Sequence, residues 1–231
     1  MRRFGYKMKI ENQKKLLIFD LDGTISDTLP SIAEAVNLCA RHFGYPEKSE
    51  SEVRLAVGNG VGVLLEKTMP KSVFDDENML KEVKEYFAAC YEQTQSRLNS
   101  CYEGMYEALH ELYDNGFILA VLSNKPDKLV QMIIKNIFPD GIIAMSLGQT
   151  ELPKKPDPTV PLLIAEKFSV SLDNTYFIGD SEVDVLTAKN AGMTSVAVSW
   201  GFRDRSVLED AMPDALIDTR EELLSYFLKL T

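Results

Sequence analysis

The chain has 231 residues and a mass of 26.0 kDa, with 45% hydrophobic side chains, enough for one large domain or for a core plus an insert. A formal net charge of −10 argues against nucleic acid or an anionic membrane as a partner, and no apolar run approaches the roughly 20 residues that cross a bilayer. Three cysteines, Cys39, Cys90 and Cys101, form an odd set without metal-site spacing and read as reduced thiols of a cytoplasmic protein.

The segment Met1 to Met8 is basic but lacks the apolar stretch of a secretory signal, and is expected to be an extension with Met8 as an alternative start. Leu16 to Phe19 is a short apolar run closed by Asp20-Leu21-Asp22-Gly23-Thr24, which reads as a strand buried on both faces. Asp20 and Asp22 then stand at the strand's carboxyl end, where open α/β sheets place their ligands. An ionised aspartate there can attack phosphorus, and a second carboxyl two residues on can protonate the leaving oxygen. Gly23 and Thr24 would offer backbone N–H groups and a hydroxyl to phosphate oxygens. Alone, Asp-x-Asp-Gly serves equally well as an acidic turn.

Helical spacing follows from Leu29 to Phe43, with Ile32, Val36, Cys39 and Phe43 on one face and Gly44 then Pro46 ending it. Further helices are expected at Glu50 to Ala56, Val61 to Thr68 and Asp75 to Leu98, the last carrying Val83, Phe87 and Tyr91 on one face. These make a small helical bundle of residues 27–97, with hinges near Ser26 to Thr28 and Asn99 to Tyr102. Within it Arg54, Asn59 and Gly60 are the candidates for substrate contact, Arg54 as partner for a carboxylate. A plain connecting turn with a solvated arginine is the other reading. His42 and His110, both in helical contexts, suit packing or the surface.

Three more apolar runs end in polar residues. Phe117 to Leu122 leads into Ser123-Asn124-Lys125-Pro126, with Pro126 suited to a first helical turn and Ser123 to holding a phosphate near a helix N-terminus. Between a strand at Ile142 to Met145 and a helix at Thr159 to Phe168, Lys154-Lys155-Pro156 presents an ammonium fixed by proline, with Lys155 preferred over Lys154. Thr175 to Ile178 runs into Gly179-Asp180-Ser181-Glu182-Val183-Asp184, which places Asp180 as a Mg²⁺ ligand and Asp184 one turn on. Thr194 to Val198 reads as a further strand, Leu216 to Asp218 as a short one, and Glu221 to Leu230 as a closing helix, with Trp200 in packing. Each residue alone has an ordinary structural use; four in this order do not.

Asp20 to Thr24, Ser123, Lys155 and Gly179 to Asp184 together resemble the four motifs of the haloacid-dehalogenase superfamily. Val57 to Val61 and Tyr102 to Gly104 resemble its phosphoglycolate phosphatase branch with a helical cap. The resemblance implies a Rossmann-like parallel three-layer α/β/α core, residues 1–26 and 98–231, with an inserted α-helical cap domain, residues 27–97. It implies a Mg²⁺-dependent phosphatase of a small phosphomonoester. Asp20 would be nucleophile and metal ligand, and Asp22 the general acid/base that also lends its carbonyl to the metal. Ser123 and Lys155 would hold the phosphoryl group, with Asn124 beside them. Asp180 would be the third protein ligand, with Asp184 behind it. The partner would be a small phosphorylated metabolite, and the chain a monomer or homodimer.

Related chemistries fit less well. Dehalogenation needs no acid such as Asp22. Mutases of this group commonly carry valine where Thr24 stands and an arginine-serine pair in the cap loop. The phosphonate-cleaving branch needs a cap lysine, for which Lys48 lacks the surrounding pattern. Pyrophosphate remains a possible substrate. A phosphate-dependent regulator would keep the acidic cluster and lysine but has no use for a cap or for Asp22.

Overall fold

The computed structural model describes residues 14–98 and 100–231; the expectation for Met1 to Met8 and the hinge position at Asn99 lie outside these residues. Strand β1 (Leu16–Phe19) is buried throughout, and a turn leads to the two-residue β2 (Ser26–Asp27). Four helices follow: α1 (Leu29–His42), α2 (Glu50–Arg54), α3 (Val61–Thr68) and α4 (Glu77–Leu98). The chain returns through β3 (Ser100–Cys101), which pairs antiparallel with β2, Ser26 opposite Cys101 and Asp27 opposite Ser100. Beyond it come α5 (Met105–Asp114), β4 (Ile118–Pro126), α6 (Asp127–Ile137), β5 (Ile143–Gln149) and α7 (Thr159–Phe168). The remainder is β6 (Thr175–Gly179), α8 (Glu182–Ala191), β7 (Thr194–Val198), α9 (Arg205–Asp210), β8 (Ala215–Ile217) and α10 (Arg220–Leu228).

The six longer strands form one parallel sheet in the order β5-β4-β1-β6-β7-β8. Strand alternation divides β1 between two apolar layers. Leu17 and Phe19 join Leu109, Val130 and Phe227 on one face, while Leu16 and Ile18 join Ile164, Phe177 and Ala188 on the other. Helices cover both faces, so the fold is the Rossmann-like α/β/α sandwich that an all-parallel sheet requires. The strand order reverses on either side of β1, which opens a crevice at its carboxyl end.

The helices between β2 and β3 share a cluster that includes Val36, Cys39, Val53, Leu65 and Phe87, and this cluster continues into the body through Leu129 of α6 and Phe202 after β7. Local chemistry sets their ends. Ser49 and Glu52 form a reciprocal capping box at α2, and Asp76 accepts from the N–H groups of Asn78 and Met79 at the start of α4.

Two expectations shift. Strand β4 runs on to Pro126, so Ser123 lies within the strand and Pro126 is the residue that caps α6. The reason is pairing: β5 also extends past Met145, and Gln149 stands opposite Pro126. The capping at α6 is tied down by Asp127, whose carboxylate accepts from the N–H of Gly148 at 2.8 Å.

Candidate active site

Strands β1, β4 and β6 are neighbours, and their carboxyl ends bring Asp20, Ser123 and Asp180 to one place. The loop between β5 and α7 adds Lys155, and the first turn of α8 adds Asp184. Lys155 is buried with its Nζ 2.8 Å from Asp20 Oδ1 and 2.7 Å from Asp184 Oδ1. Burial disfavours its charge, yet the carboxylates of Asp184 and Asp20 outweigh that cost and raise its pKa. Asp184 is anchored in turn, because its Oδ2 accepts from the backbone N–H and the hydroxyl of Ser181.

Asp180 is held by the backbone N–H of Phe202 at 2.6 Å and by the Thr24 hydroxyl at 3.2 Å. Glycine is required around it. A Cβ on Gly201 would stand 2.3 Å from Asp180 Cβ, and one on Gly23, whose φ is +83°, would stand 2.4 Å from Asp180 Oδ2. Burial pushes Asp180 up to about 8, with the charges of Asp184 and Asp20 adding to the effect. Burial likewise pushes Asp20 up to about 6, against the pull of Lys155.

Asp20, Asp180 and Asp184 each offer an oxygen, and the three atoms lie within 4.8 Å of one another. Asp20 Oδ1 is buried and, though close to Lys155, makes no well-aligned hydrogen bond. Three buried carboxylates around one ammonium carry more negative charge than the protein neutralises. Hard oxygen donors with an unsatisfied member fit a divalent cation of the Mg²⁺ type. Asp22 stands apart from the trio, its carboxylate paired with Lys125 at 2.9 Å.

Lys125 is the main feature that the sequence left unassigned. Its Nζ is fully enclosed, 2.9 Å from Asp22 Oδ1 and 2.7 Å from the hydroxyl of Tyr91, which descends from α4. Burial lowers the pKa of Lys125 against the attraction of Asp22, and burial raises that of Tyr91 well above its ordinary value. Tyr91 is legible as one of the apolar stripe on α4, but nothing in its spacing announces a buried hydroxyl contact. Lys125 stands in the Ser-Asn-Lys-Pro segment, and that adjacency was the available signal.

The other expected contacts divide. Ser123 lines the pocket and accepts from the N–H of Lys125 at 3.3 Å. Gly60 also lines it. Gly23 and Thr24 do not turn donors toward it: the N–H of Gly23 goes to Ser26, that of Thr24 to Leu21, and the Thr24 hydroxyl to Asp180. The tight turn that follows β1 consumes those groups. Asn124 lines the pocket with its amide already committed, accepting from the N–H of Lys155 and donating to the carbonyls of Lys155 and Gly58. It splices the lysine loop to the helical insert.

Arg54 is drawn outward to an exposed ion pair with Asp204 at 3.1 Å, and does not line the pocket. The arginine that does is Arg203, whose guanidinium donates to Glu182 and to the carbonyls of Arg54 and Val57. The side chain of Asn59 is also outside the pocket, and its carbonyl accepts from Lys154 at 2.8 Å. Lys48 pairs with Glu52 on the surface. Trp200 packs against the core as expected, and its indole N–H donates to the carbonyl of Thr24.

The insert supplies Ile32, Val57, Val61 and Leu64 opposite the acidic cluster. The cavity between them has a volume of about 40 Å³.

A parallel α/β sandwich with this buried acidic cluster and lysine at the crevice beside β1 defines a class of hydrolase. Residues 17–198 match the haloacid dehalogenase-like hydrolase family, and the chain belongs to it. It is similar to a phosphoglycolate phosphatase of Vibrio cholerae, 36% identical over 219 residues that cover 93% of this chain and 97% of that one. A phosphoglycolate phosphatase of Haemophilus influenzae is 30% identical over 222 residues, covering 94% and 99%. A crystal structure described as a predicted phosphoglycolate phosphatase from Haemophilus somnus superposes with a TM-score of 0.86 at 29% identity, covering 95% and 100%. Among the described residues no helix is long and apolar enough to cross a membrane.

Proposed function

We propose that this hydrolase is a Mg²⁺-dependent phosphatase of small phosphomonoesters, phosphoglycolate first among them, working through an aspartyl-phosphate on Asp20. The observation that carries this reading is the meeting of Asp20, Asp22, Ser123 and Asp180 on one enclosed pocket, with Lys155 clamped between Asp20 and Asp184. Names of relatives that cover nearly the whole chain point the same way.

In this mechanism Asp20 attacks phosphorus, the ester P–O bond breaks, and Asp22 gives its proton to the departing alkoxide. Asp22, now a base, takes a proton from a water that attacks the aspartyl-phosphate, which releases inorganic phosphate and restores Asp20. Lys155 and Ser123 hold the equatorial oxygens as charge redistributes. Mg²⁺, when bound by Asp20, Asp180 and the carbonyl of Asp22 with Asp184 behind them, would neutralise charge on the phosphoryl group. Phosphomonoester hydrolysis calls for accelerations approaching about 10²¹, so several such devices must act together.

Residues 27–97 act as a cap on a core of residues 1–26 and 98–231, and the β2–β3 ribbon joins the two. Closure excludes water while the ester reacts, and opening releases the alcohol. The enzyme works in the cytoplasm, as a monomer or homodimer.

The test is a phosphate-release screen of the purified protein with and without Mg²⁺, using phosphoglycolate, pyrophosphate, sugar phosphates, nucleotides and p-nitrophenyl phosphate. Metal-dependent release with preference for phosphoglycolate is expected. Preference for pyrophosphate would replace the substrate, and no release from any ester would overturn the reading.

A further inference from the structure

The wall of the pocket facing the acidic cluster is apolar, built largely from Ile32, Val61, Leu64 and Phe202. Against it stand a few cations, and most are spent. Lys155 is held by Asp20 and Asp184. Arg203 directs its guanidinium to Glu182 and to two backbone carbonyls. Lys125 differs. An ammonium has three N–H donors, and this one is enclosed with two in use, to Asp22 and to the Tyr91 hydroxyl. Among the described residues the third has no partner, and Lys125 borders the cavity. A buried N–H left unmatched is costly, so the site is completed by an acceptor that arrives from outside.

We infer that Lys125, positioned by Tyr91, is the subsite for the non-phosphoryl end of the substrate and takes a carboxylate there. The inference rests on the phosphatase reading and narrows it to phosphate esters of short hydroxy acids. Geometry sets the length: Asp22, two residues beyond Asp20, is the residue that Lys125 touches, so the cation sits beside the group proposed to protonate the leaving oxygen. An anionic group one or two carbons from that oxygen meets it. The one polar side chain that the insert brings to the pocket lining is Tyr91, whose hydroxyl is already engaged by Lys125, which leaves little to receive the several hydroxyls of a sugar or a nucleoside. Tyr91 comes from the insert, so the subsite is complete only when the insert lies over the sheet, and a carboxylate bound to it favours that closed arrangement.

The test compares phosphoglycolate with 2-hydroxyethyl phosphate, which replaces the carboxylate by a neutral hydroxymethyl group. Wild type is expected to favour phosphoglycolate by about 10- to 100-fold in kcat/KM, the range of one hydrogen bond to a charged group. In Lys125→Met that preference ratio should collapse toward one, with the change carried mainly by KM. Any damage done through Asp22 slows both esters alike and leaves the ratio untouched. Tyr91→Phe, which keeps the ring, should reduce the ratio by a smaller factor, about 3- to 10-fold, and covers the case in which Lys125→Met fails to fold. Equal losses for both esters with an unchanged ratio would overturn the inference, as would a wild type indifferent to the carboxylate.

A binding measurement separates this from failure of the phosphatase reading. In Asp20→Asn, calorimetric Kd values for the two esters, with and without Lys125→Met, decide the subsite without turnover. If wild type hydrolyses neither ester but the Kd difference depends on Lys125, the subsite stands and only the catalytic reading falls; a Kd difference that ignores Lys125 sinks the subsite.

Discussion

At the carboxyl ends of β1, β4 and β6 the pocket is charged and buried, with Lys155 clamped between carboxylates; across from it, the insert is largely apolar and its pocket-edge loop is gripped through backbone carbonyls. Among the described residues, the donors that reach the pocket-edge loop from the sheet side end on main-chain oxygens, Arg203 to Arg54 and Val57, Asn124 to Gly58, Lys154 to Asn59, and the exposed Arg54–Asp204 pair is a side-chain bond beside them. The floor therefore depends on residue identity at a handful of positions. The roof depends on the path of a loop and on the donors that reach up to it. Substitutions in the floor should act on the chemical step, and those along the seam on how well the roof sits.

The largest effect is expected from Asp20→Asn. Removing the proposed nucleophile should lower kcat by at least about 10³-fold, a loss of the size seen when a residue of a catalytic unit is deleted. Lys155 keeps Asp184 as a partner, so the fold should persist, with a melting temperature within about 4 °C of wild type. Activity within tenfold of wild type would mean that the floor is structural and the contrast with the roof is false.

The floor should also announce itself without substrate. Burial pushes Asp20 up to about 6 and Asp180 up to about 8 in the folded chain, well above the ordinary range of an aspartate. The folded state thus binds more protons than the unfolded state over that interval, so metal-free stability falls as pH rises from about 4 to about 8 and then levels off. On the proposed reading Mg²⁺ would bind the ionised carboxylates, so its addition should raise the melting temperature more at pH 8 than at pH 5. Thermal melts in chelator and in Mg²⁺ check this. A chelated protein that grows more stable over the same interval would contradict the crowded acidic floor.

How much could be read in the sequence follows the same division. Asp20, Ser123 and Asp180 are legible because each follows an apolar run, and Lys155 because proline fixes it in the loop between a strand and a helix. The helices of the insert are legible from periodicity: the ends of α1, α3 and α4 stand within two residues of expectation. The two-residue strands of the ribbon are not, since two residues carry no period. Nor are the seam contacts, because a carbonyl acceptor has no residue signature. Arg54 and Asn59 draw attention as polar groups near a glycine turn, yet their carbonyls are what the neighbouring donors use. Arg203 becomes visible only when β7 is laid beside the insert, and Lys125, hinted at by its place next to Ser123 and Asn124, shows its partner Tyr91 only when β4 is.

A smaller effect is expected at Arg203, the residue that joins the two halves most directly. Arg203→Met keeps much of the stem and removes the donors to Arg54, Val57 and Glu182. Two insert carbonyls then lose a charged donor, which should cost about 1–3 kcal/mol of stability and loosen the roof. The kinetic signature is a KM for phosphoglycolate raised about tenfold with a smaller change in kcat. A selective fall in kcat would instead place Arg203 in the floor.

Arg54→Ala should do least, and for that reason tests the contrast most narrowly. The guanidinium of Arg54 is paired only with Asp204, and the two side chains are 37% and 74% exposed. An ion pair so well solvated contributes about 0–1 kcal/mol. Alanine retains the backbone carbonyl that Arg203 uses, so the seam bond survives the substitution. Activity toward phosphoglycolate should stay within about twofold of wild type, and the melting temperature within about 4 °C. A KM raised tenfold or more by this change alone would show that the roof reads substrate through the Arg54 side chain after all. Glycine at the same position would also relax the backbone of α2, so a loss seen with glycine but not with alanine would locate the requirement in the path of the loop.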